Sequence, residues 1–590
     1  MYILSFKTGH DPAACLLQNG RIIAAAEEER FNRIKHAPDC FPQEAIKYCL
    51  SVKNLTLNDI DYIVFAREKN FKTFLKVVGY FLRRLPRNDT ELRYMIALLK
   101  VQIKGVLYAM AGQAPYQKIF QIIGGRKRKV FSFDHHLCHA ASAYFGSGFD
   151  TAAVLCMDGK GEATSISMWS GEEGTLTCLK RFGIFDSLGY LYGSITEFLN
   201  FKINDGEYKV MGLAPYGKPE IEFDPAPFVD KQKSRGVQST KSAGFDDIFS
   251  VSPKGVSINT EYSLYPYSLP NLKKRFPKIS HEYNEFAPPE PNTAIAATLQ
   301  DRLEKAAIFY VKKLQSLAVS YQRQATRSVC LAGGVSLNVK MNKAIWDSGL
   351  VEKLWVQPAA GDMGNVLGAA WLLYSQKTGK RPEPLHDLYL GAEYSDEQIE
   401  KVLKGSQLPF QKKYDIAREV AELLEQGNIV AWFQGRFEFG PRALGSRSIL
   451  ADPRTAAMKE VINAKVKFRE PFRPFCPSIL EGHTSEILEQ YMSSPFMVMS
   501  FRVKEEWKKK IPAVVHVDGT VRPQEVRAST NPLYAKMISY FYEKTGVPVV
   551  LNTSQNVRGE PIVNTPEEAI NFFKKTDVDM LAIGNFVVTK

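Results

Sequence analysis

Three of the chain's nine histidines fall within five positions, in FDHHLCHAASAY (residues 133–144). A helix starting near Asp134 sets His135 and His139 one turn apart on one face, because i and i+4 side chains are neighbours. Two imidazoles so placed can grip one metal ion. Such a pair is only part of a coordination shell, and a helix start capped by Asp134 explains the same letters. Carboxylates able to complete a shell stand elsewhere. VLCMDGKGEA (154–163) runs an apolar strand into Asp158, and its two glycines let backbone approach a ligand. An ordinary Asp-Gly hairpin turn reads the same way. QPAAGDMGNVLGAAW (357–371) presents Asp362 before a helix whose N-terminus favours anions. A plain helix cap is the equal alternative there. Two His and two Asp from separate elements make a mixed nitrogen and oxygen set suited to iron(II), manganese or zinc.

Two further stretches suit phosphate chemistry. LAGGVSLNVKMN (331–342) places Gly333 and Gly334 at a strand end and Asn338 at the next helix start. That geometry fits a nucleotide or a bare packing turn equally well. Between 435 and 561 the cations are more pointed. Arg442, Arg447 and Arg454 sit among glycines and prolines, followed by Lys467, Arg469 and Arg473 in KFREPFRPFCPS. HVDGTVRP, beginning at His516, adds Arg522, and LNTSQNVRGEP (551–561) adds Ser554 and Arg558. Guanidiniums in Gly/Pro turns beside aromatics suit phosphate oxygens, whereas a solvated basic face sits on helices with acidic partners. A metallopeptidase is excluded, because HEXXH needs Glu where His136 stands.

These groups need large elements to hold them. The 590 residues allow two to four domains, and 45% hydrophobic content builds substantial cores. A formal charge of +13 fits anionic ligands. Basic runs such as LRRLPR (82–87) and GGRKRK (124–129) lack the aromatic interleaving of a single-strand platform, which reads against a nucleic-acid partner. Eight cysteines without C-x-x-C spacing predict reduced, mostly buried thiols and a cytoplasmic protein. No signal peptide and no membrane span are expected, and 94–112 reads as a packed amphipathic helix.

YILSFKT, DPAACLLQ and IIAAAEEE read as strands, the last two joined by an Asn19-Gly20 turn. Strand, acidic turn and strand recur at 152–182. The recurrence suggests an internally duplicated α/β domain of the actin-like ATPase type. Residues 220–290 read as an insertion. A long helix is expected over 292–322, begun by an Asn cap. Residues 376–387 have linker composition, 393–405 opens a fresh helix, and 428–435 and 548–554 read as strands of a second domain.

In order, GHDPAACL, EEERFNRIKH, DHHLCHAASAY, DGKGE, NDGEYKVMGLAPYG, AGGVSLN, GDMGNVLGAA, EFGPRALGSRSIL, REPFRPFCPSIL, HVDGTVRPQ and LNTSQNVRGEPIV closely resemble the O-carbamoyltransferases of the nodulation and antibiotic-tailoring type. The resemblance covers nearly the whole chain except about 220–290. It implies an α/β and α+β protein: a duplicated actin-like, TsaD-like domain (1–380) and a YrdC-like domain (381–590). The implied chemistry has two steps. Carbamoyl phosphate and ATP, with Mg2+, give carbamoyl-adenylate and pyrophosphate in the YrdC-like domain. The carbamoyl group then passes to a hydroxyl of a small-molecule acceptor, such as a sugar or natural product, in the TsaD-like domain.

By the same resemblance His135, His139, Asp158 and Asp362 bind Fe(II) or another divalent metal, and His10 is the base for the acceptor hydroxyl. Arg442, Lys467, Arg473, Arg522 and Ser554 surround carbamoyl phosphate and ATP. A tRNA threonylcarbamoyl-type enzyme is the rival reading, since both relatives are shared. Fusion of both modules in one chain favours the small-molecule enzyme. The acceptor and the oligomeric state, a homodimer included, stay open.

Overall fold

A computed structural model describes residues 1–219, 245–277, 288–323 and 326–590. The chain is a mixed α/β protein whose first half repeats one sheet plan. β1 (Tyr2–Lys7), β2 (Ala13–Gln18) and β3 (Arg21–Glu27) form an antiparallel meander, and β4 (Tyr62–Phe65) and β5 (Val130–Ser132) extend it in parallel beyond β1. The order is β3-β2-β1-β4-β5. The turn from β2 to β3 has positive φ at both Asn19 (50°) and Gly20 (96°), the conformation that Asn-Gly adopts at least cost.

β6 (Thr151–Gly161), β7 (Thr164–Glu172) and β8 (Thr175–Gly183) make a second meander. Within the 220–290 stretch read as an insertion, 220–244 and 278–287 lie outside the described residues. Residues 245–277 carry a hairpin, β9 (Phe249–Ser252) and β10 (Gly255–Ile258), and the short helices Thr260–Ser263 and Ser268–Arg275. β11 (Ser328–Ala332) and β12 (Lys353–Val356) then lie parallel to β6, giving β12-β11-β6-β7-β8. Both pairing senses and strand order repeat the first sheet, so the duplication expected from the two meanders is the topology observed.

Two helices fill the space between the sheets. His135–Ser147 packs on β6 and β11, Asn365–Thr378 packs on β1 and β2, and the two pack on each other. Both are buried almost all round, as a helix between two sheets must be. Gly368 lets them approach, because a methyl there would strike the Cys138 carbonyl.

An eight-stranded sheet drawn from Phe410–Val588 forms the rest. At its centre Val430–Phe433 pairs with Arg447–Ala451, and that strand pairs with Val549–Ser554. The helix Asp396–Ser406 opens this region, with Ser395 as its cap. Apolar side chains of both halves form one continuous cluster.

Three local expectations change. The long helix is Glu290–Ser320 and starts after Pro289; Asn292 lies in its first turn, buried, rather than capping it. Pro289 caps it in an extended conformation (ψ 162°), and Pro291, whose missing N–H costs nothing in a first turn, places the start ahead of Asn292. The linker begins only after Gly379, whose left-handed φ (67°) ends the preceding helix, and it is strapped down by Glu383 N to Gly20 O (3.1 Å) and Leu385 N to Gly146 O (3.1 Å). The helix read at 94–112 is Asp89–Met110 and only part of it packs: Tyr94, Leu98 and Gln102 are buried, while Leu92, Ile96, Ile103 and Leu107 face solvent.

Candidate active site and metal centre

The helix that carries the histidines begins as its letters require. Asp134 caps it, accepting from Leu137 N at 3.0 Å, so the capping and ligand readings hold together. His135 and His139 then stand on one face with Nε2 atoms 3.1 Å apart. Asp158 stands near the end of β6, and its Oδ2 lies 3.4 Å from His135 Nε2. Asp362 does not cap a helix by its side chain. A short 3-10 turn, Asp362–Gly364, leads into Asn365–Thr378, and Asp362 Oδ1 lies 3.4 Å from His135 Nε2 and 3.5 Å from His139 Nε2. One ligand atom from each of the four residues falls within 4.8 Å of all the others.

Each carboxylate has one oxygen tied back and the other facing the imidazoles. Asp158 Oδ1 accepts from Gly334 N at 3.0 Å. Asp362 Oδ2 pairs with Lys7 Nζ at 2.8 Å. Lys7 closes β1 and is 2% exposed, and its ammonium also donates to His10 O (2.5 Å) and Thr8 O (3.4 Å). The result is two nitrogens and two oxygens pointed at a common centre, a donor set that fits a divalent transition metal.

Electrostatics agree. Burial disfavours the His135 imidazolium, yet Asp362 and Asp158 outweigh it and raise its pKa to about 10. Burial alone works against both carboxylates too, and the histidines, with Lys7 for Asp362, hold both below the usual range. Three adjoining groups thus compensate one another's charge where a cation would do so directly. His136, between the two ligands in sequence, turns away. It bonds Ser167 Oγ (2.9 Å) and Thr164 O (3.0 Å), and burial with the neighbouring His135 lowers it to about 3.

A second histidine group lies at the other meander. His10 Nδ1 meets Asp11 Oδ2 at 2.9 Å, and His36 Nδ1 meets Asp11 Oδ1 at 2.8 Å. Asp205 approaches His36 Nε2 at 3.7 Å. Burial disfavours charge on His36, but Asp11 and Asp205 override it and raise it to about 9. His10 is raised by Asp11, and more weakly by Asp362, against burial. Asp362 is therefore common to the electrostatics of both groups.

The glycine turn serves the carboxylate. Gly333 (φ 88°) donates its N–H to Ala360 O at 3.0 Å, and Gly334 donates to Asp158. Asn338 caps Val339–Asp347 by accepting from Met341 N (3.0 Å), donates from Nδ2 to Gln300 Oε1 (2.8 Å) and accepts from Gln300 Nε2 (3.0 Å). All three residues read as nucleotide contacts already have partners.

The C-terminal cations gather around one loop. Lys467 is 4% exposed, and its ammonium donates to Ser554 O, Ser554 Oγ (3.3 Å), Asn556 O (2.9 Å) and Asn556 Oδ1 (2.9 Å). Burial lowers its pKa well below the usual lysine value, helped by Arg469 and Arg473. Arg522 donates to Cys476 Sγ at 3.2 and 3.0 Å. Arg473 pairs with Glu470 (3.2 Å) and stacks over Tyr208. Arg442 has no hydrogen bond or ion pair among the described residues, and burial beside Arg522 lowers it to about 9. Crowded, desolvated cations of this kind are stabilised by a bound polyanion. Arg447 and Arg454 stand apart. Arg447 spends its guanidinium on the carbonyls of Gln434, Ser446 and Ala392, and Arg454 pairs with Asp452.

The halves meet through motifs that had no assigned role. Arg30 donates to Gly440 O (2.8 Å), and Gly440 N donates to Glu27 (2.6 Å). Arg33 reaches Pro561 O and Ile562 O, both at 2.7 Å. Lys209 pairs with the fully buried Glu470 at 2.7 Å. The EEERFNRIKH and NDGEYKVMGLAPYG stretches therefore bind the histidine groups to the cation loop. Sequence reasoning passed over Lys7, Asp11, His36, Lys209, Glu470 and Asn365, whose Nδ2 lies 3.3 Å from His139 Nε2. Their one signal is a charged or amide residue closing an apolar run or sitting inside a quoted motif.

Two family models match the chain, Carbamoyltransferase N-terminus over residues 2–371 and Carbamoyltransferase C-terminus over residues 421–590. Nodulation protein NolNO of Sinorhizobium fredii is 35% identical over 588 residues, covering 98% of this chain and 79% of that protein. Nodulation protein NolO of Bradyrhizobium diazoefficiens is 38% identical over 466 residues, covering 78% and 79%. The uncharacterized protein sll1178 of Synechocystis sp. is 38% identical over 619 residues, covering 98% and 95%.

Proposed function

The chain belongs to the carbamoyltransferase family and is a transferase acting between a carbamoyl donor and an acceptor; from that premise we propose an ATP-dependent O-carbamoyltransferase with two separate sites. In this reading residues 1–380 form the TsaD-like transfer domain and 381–590 the YrdC-like adenylate-forming domain.

The convergence on one loop of Lys467, Arg473, Arg522 and Arg442, the last without a partner among the described residues, supports adenylate formation there. Carbamoyl phosphate and ATP are polyanions, and these cations would hold them and offset charge as it develops. Balance requires water to take the phosphoryl group of carbamoyl phosphate, giving orthophosphate and carbamate, after which a carbamate oxygen bonds the α-phosphorus and pyrophosphate leaves ATP. Lys467, desolvated and held by four oxygens, would lie against the phosphates, with Ser554 at its side.

His135, His139, Asp158 and Asp362 would hold a divalent metal, Fe(II) in the family reading. When bound, such an ion supplies a Lewis acid for the carbamoyl carbonyl or the adenylate phosphate. The protein's own part is positional and protolytic. Lys7 and Gly334 N fix the two carboxylates. Asp11 orients His10 through Nδ1, leaving Nε2 to take the acceptor hydroxyl proton. The hydroxyl oxygen then bonds the carbamoyl carbon and AMP departs.

The carrying observation is the four-residue donor set with both carboxylates tied from behind. The test is pyrophosphate release. Purified protein given ATP and a hydroxylated acceptor is expected to release pyrophosphate only when carbamoyl phosphate is added. Release independent of carbamoyl phosphate contradicts the reading.

A further inference from the structure

The duplicated frame exposes what has been added to it. In the second sheet the crossover from β11 to β12 holds one short turn and the helix Val339–Asp347. The matching crossover from β4 to β5 runs over residues 66–129 and holds three helices, Asn70–Arg83, Asp89–Met110 and Pro115–Ile122. This excursion contains 15 Lys and Arg against 3 Asp and Glu, so it carries +12 of the chain's formal +13.

Its helices also face solvent with aliphatic side chains. On Asp89–Met110, Leu92, Ile96, Ile103, Leu107 and Met110 are between 40% and 80% exposed. At 100° per residue these positions fall within about 60° of one another, a single stripe. Arg93, Lys100 and Lys104 border it along one flank, between the stripe and the buried Tyr94. Asn70–Arg83 repeats the plan. Phe71, Leu75 and Leu82 are between 52% and 76% exposed, with Lys72 and Arg83 alongside. Neither stripe is needed for the packing of the hairpin, which uses Val77, Phe81, Tyr94 and Leu98 against Ile184 and Phe185.

An aliphatic stripe bordered by cations is the pattern of a helix lying in a membrane interface, where acyl chains take the stripe and anionic headgroups take the flanks. A second copy of this chain would bring +12 against +12, which opposes pairing through this face. RNA would use the cations but offers nothing to Leu, Ile and Met, which cannot stack on bases. No single described helix is long and apolar enough to cross a bilayer, though Asp89–Met110 with Pro115–Ile122 is so as a bent pair; the cations along Asp89–Met110 favour contact with one surface.

We propose that the 66–129 excursion is a docking surface for an anionic lipid bilayer, its two long helices lying in the headgroup plane. This departs from the expectation of no membrane partner, and it does not depend on the carbamoyl chemistry.

Cosedimentation of the full-length protein with vesicles tests it. Phosphatidylcholine vesicles containing about 30% phosphatidylglycerol are expected to bind the protein, pure phosphatidylcholine vesicles to bind it weakly, and about 0.5 M salt to release much of it. I103E/L107E changes only exposed positions and is expected to weaken binding at least about tenfold, as is K100E/K104E. Three results would overturn the proposal. One is failure of the wild type to bind the anionic vesicles. Another is binding that I103E/L107E leaves unchanged, including binding equally displaced by tRNA. The third is a lipid-free dimer that I103E/L107E dissociates. Unaltered thermal unfolding of both variants keeps loss of binding distinct from loss of fold.

Discussion

Asp11 carries two imidazoles on its two oxygens, and this small arrangement sets the pH behaviour expected of the transfer step. A general base works when neutral. Asp11 raises His10 above the ordinary 6.5, so with His10 as the proposed base transfer is expected to rise with pH through that raised value. Asp11→Asn removes the charge and keeps a side chain that tolerates the residue's positive φ of 49°. The acid limb of kcat/KM for the acceptor is expected to move down by about one pH unit. A limb that stays in place removes Asp11 from this role. At this scale the sequence was most informative where ligand spacing is local. His135 and His139 were legible because a helix makes i and i+4 neighbours. Lys7 and His36 were not, because Asp362 and Asp205 reach them only through the fold.

At the scale of elements, turn chemistry was legible and cap chemistry less so. Asn19-Gly20 announces its hairpin by conformational preference alone. The start of Glu290–Ser320 depends on Pro289 and Pro291, and a nearby asparagine gave the wrong boundary. The glycine turn after β11 read equally as a nucleotide contact or a packing turn, and its N–H groups anchor Ala360 O and Asp158. Gly333→Ala is expected to be costly, because φ is 88° and an added methyl meets the Met157 carbonyl. A loss of about 1–3 kcal/mol should appear as a lower Tm. Gly334→Ala, with ordinary φ and its methyl 3.2 Å from Asp158 Oδ1, should cost less stability. Equal unfolding of the two variants contradicts this account of the turn.

For the whole molecule, the duplication was visible as two meanders, and the union of the halves was not. Motifs 200 or more positions apart, such as Lys209 and Glu470, meet only once both halves are folded. Burial disfavours the Glu470 carboxylate, yet Lys209 and Arg473 pull its pKa from 4.5 down to about 2. A depressed carboxylate stabilises above its unfolded value, and that contribution fades as pH falls from 4.5 toward 2. Lys209→Met is expected to cost about 2 kcal/mol at neutral pH, since Arg473 still faces the buried carboxylate. The deficit should shrink between pH 4.5 and pH 2 in denaturant titrations, and a deficit constant with pH argues against the pair.

The central claim is a division of labour between the cation loop and the histidine-aspartate centre. Carbamoyl-phosphate-dependent exchange of pyrophosphate into ATP, measured beside acceptor carbamoylation, tests it most directly. The account predicts that Lys467→Ala loses both, while His139→Ala keeps exchange and loses only carbamoylation. Exchange retained by Lys467→Ala, or abolished by His139→Ala, would contradict it.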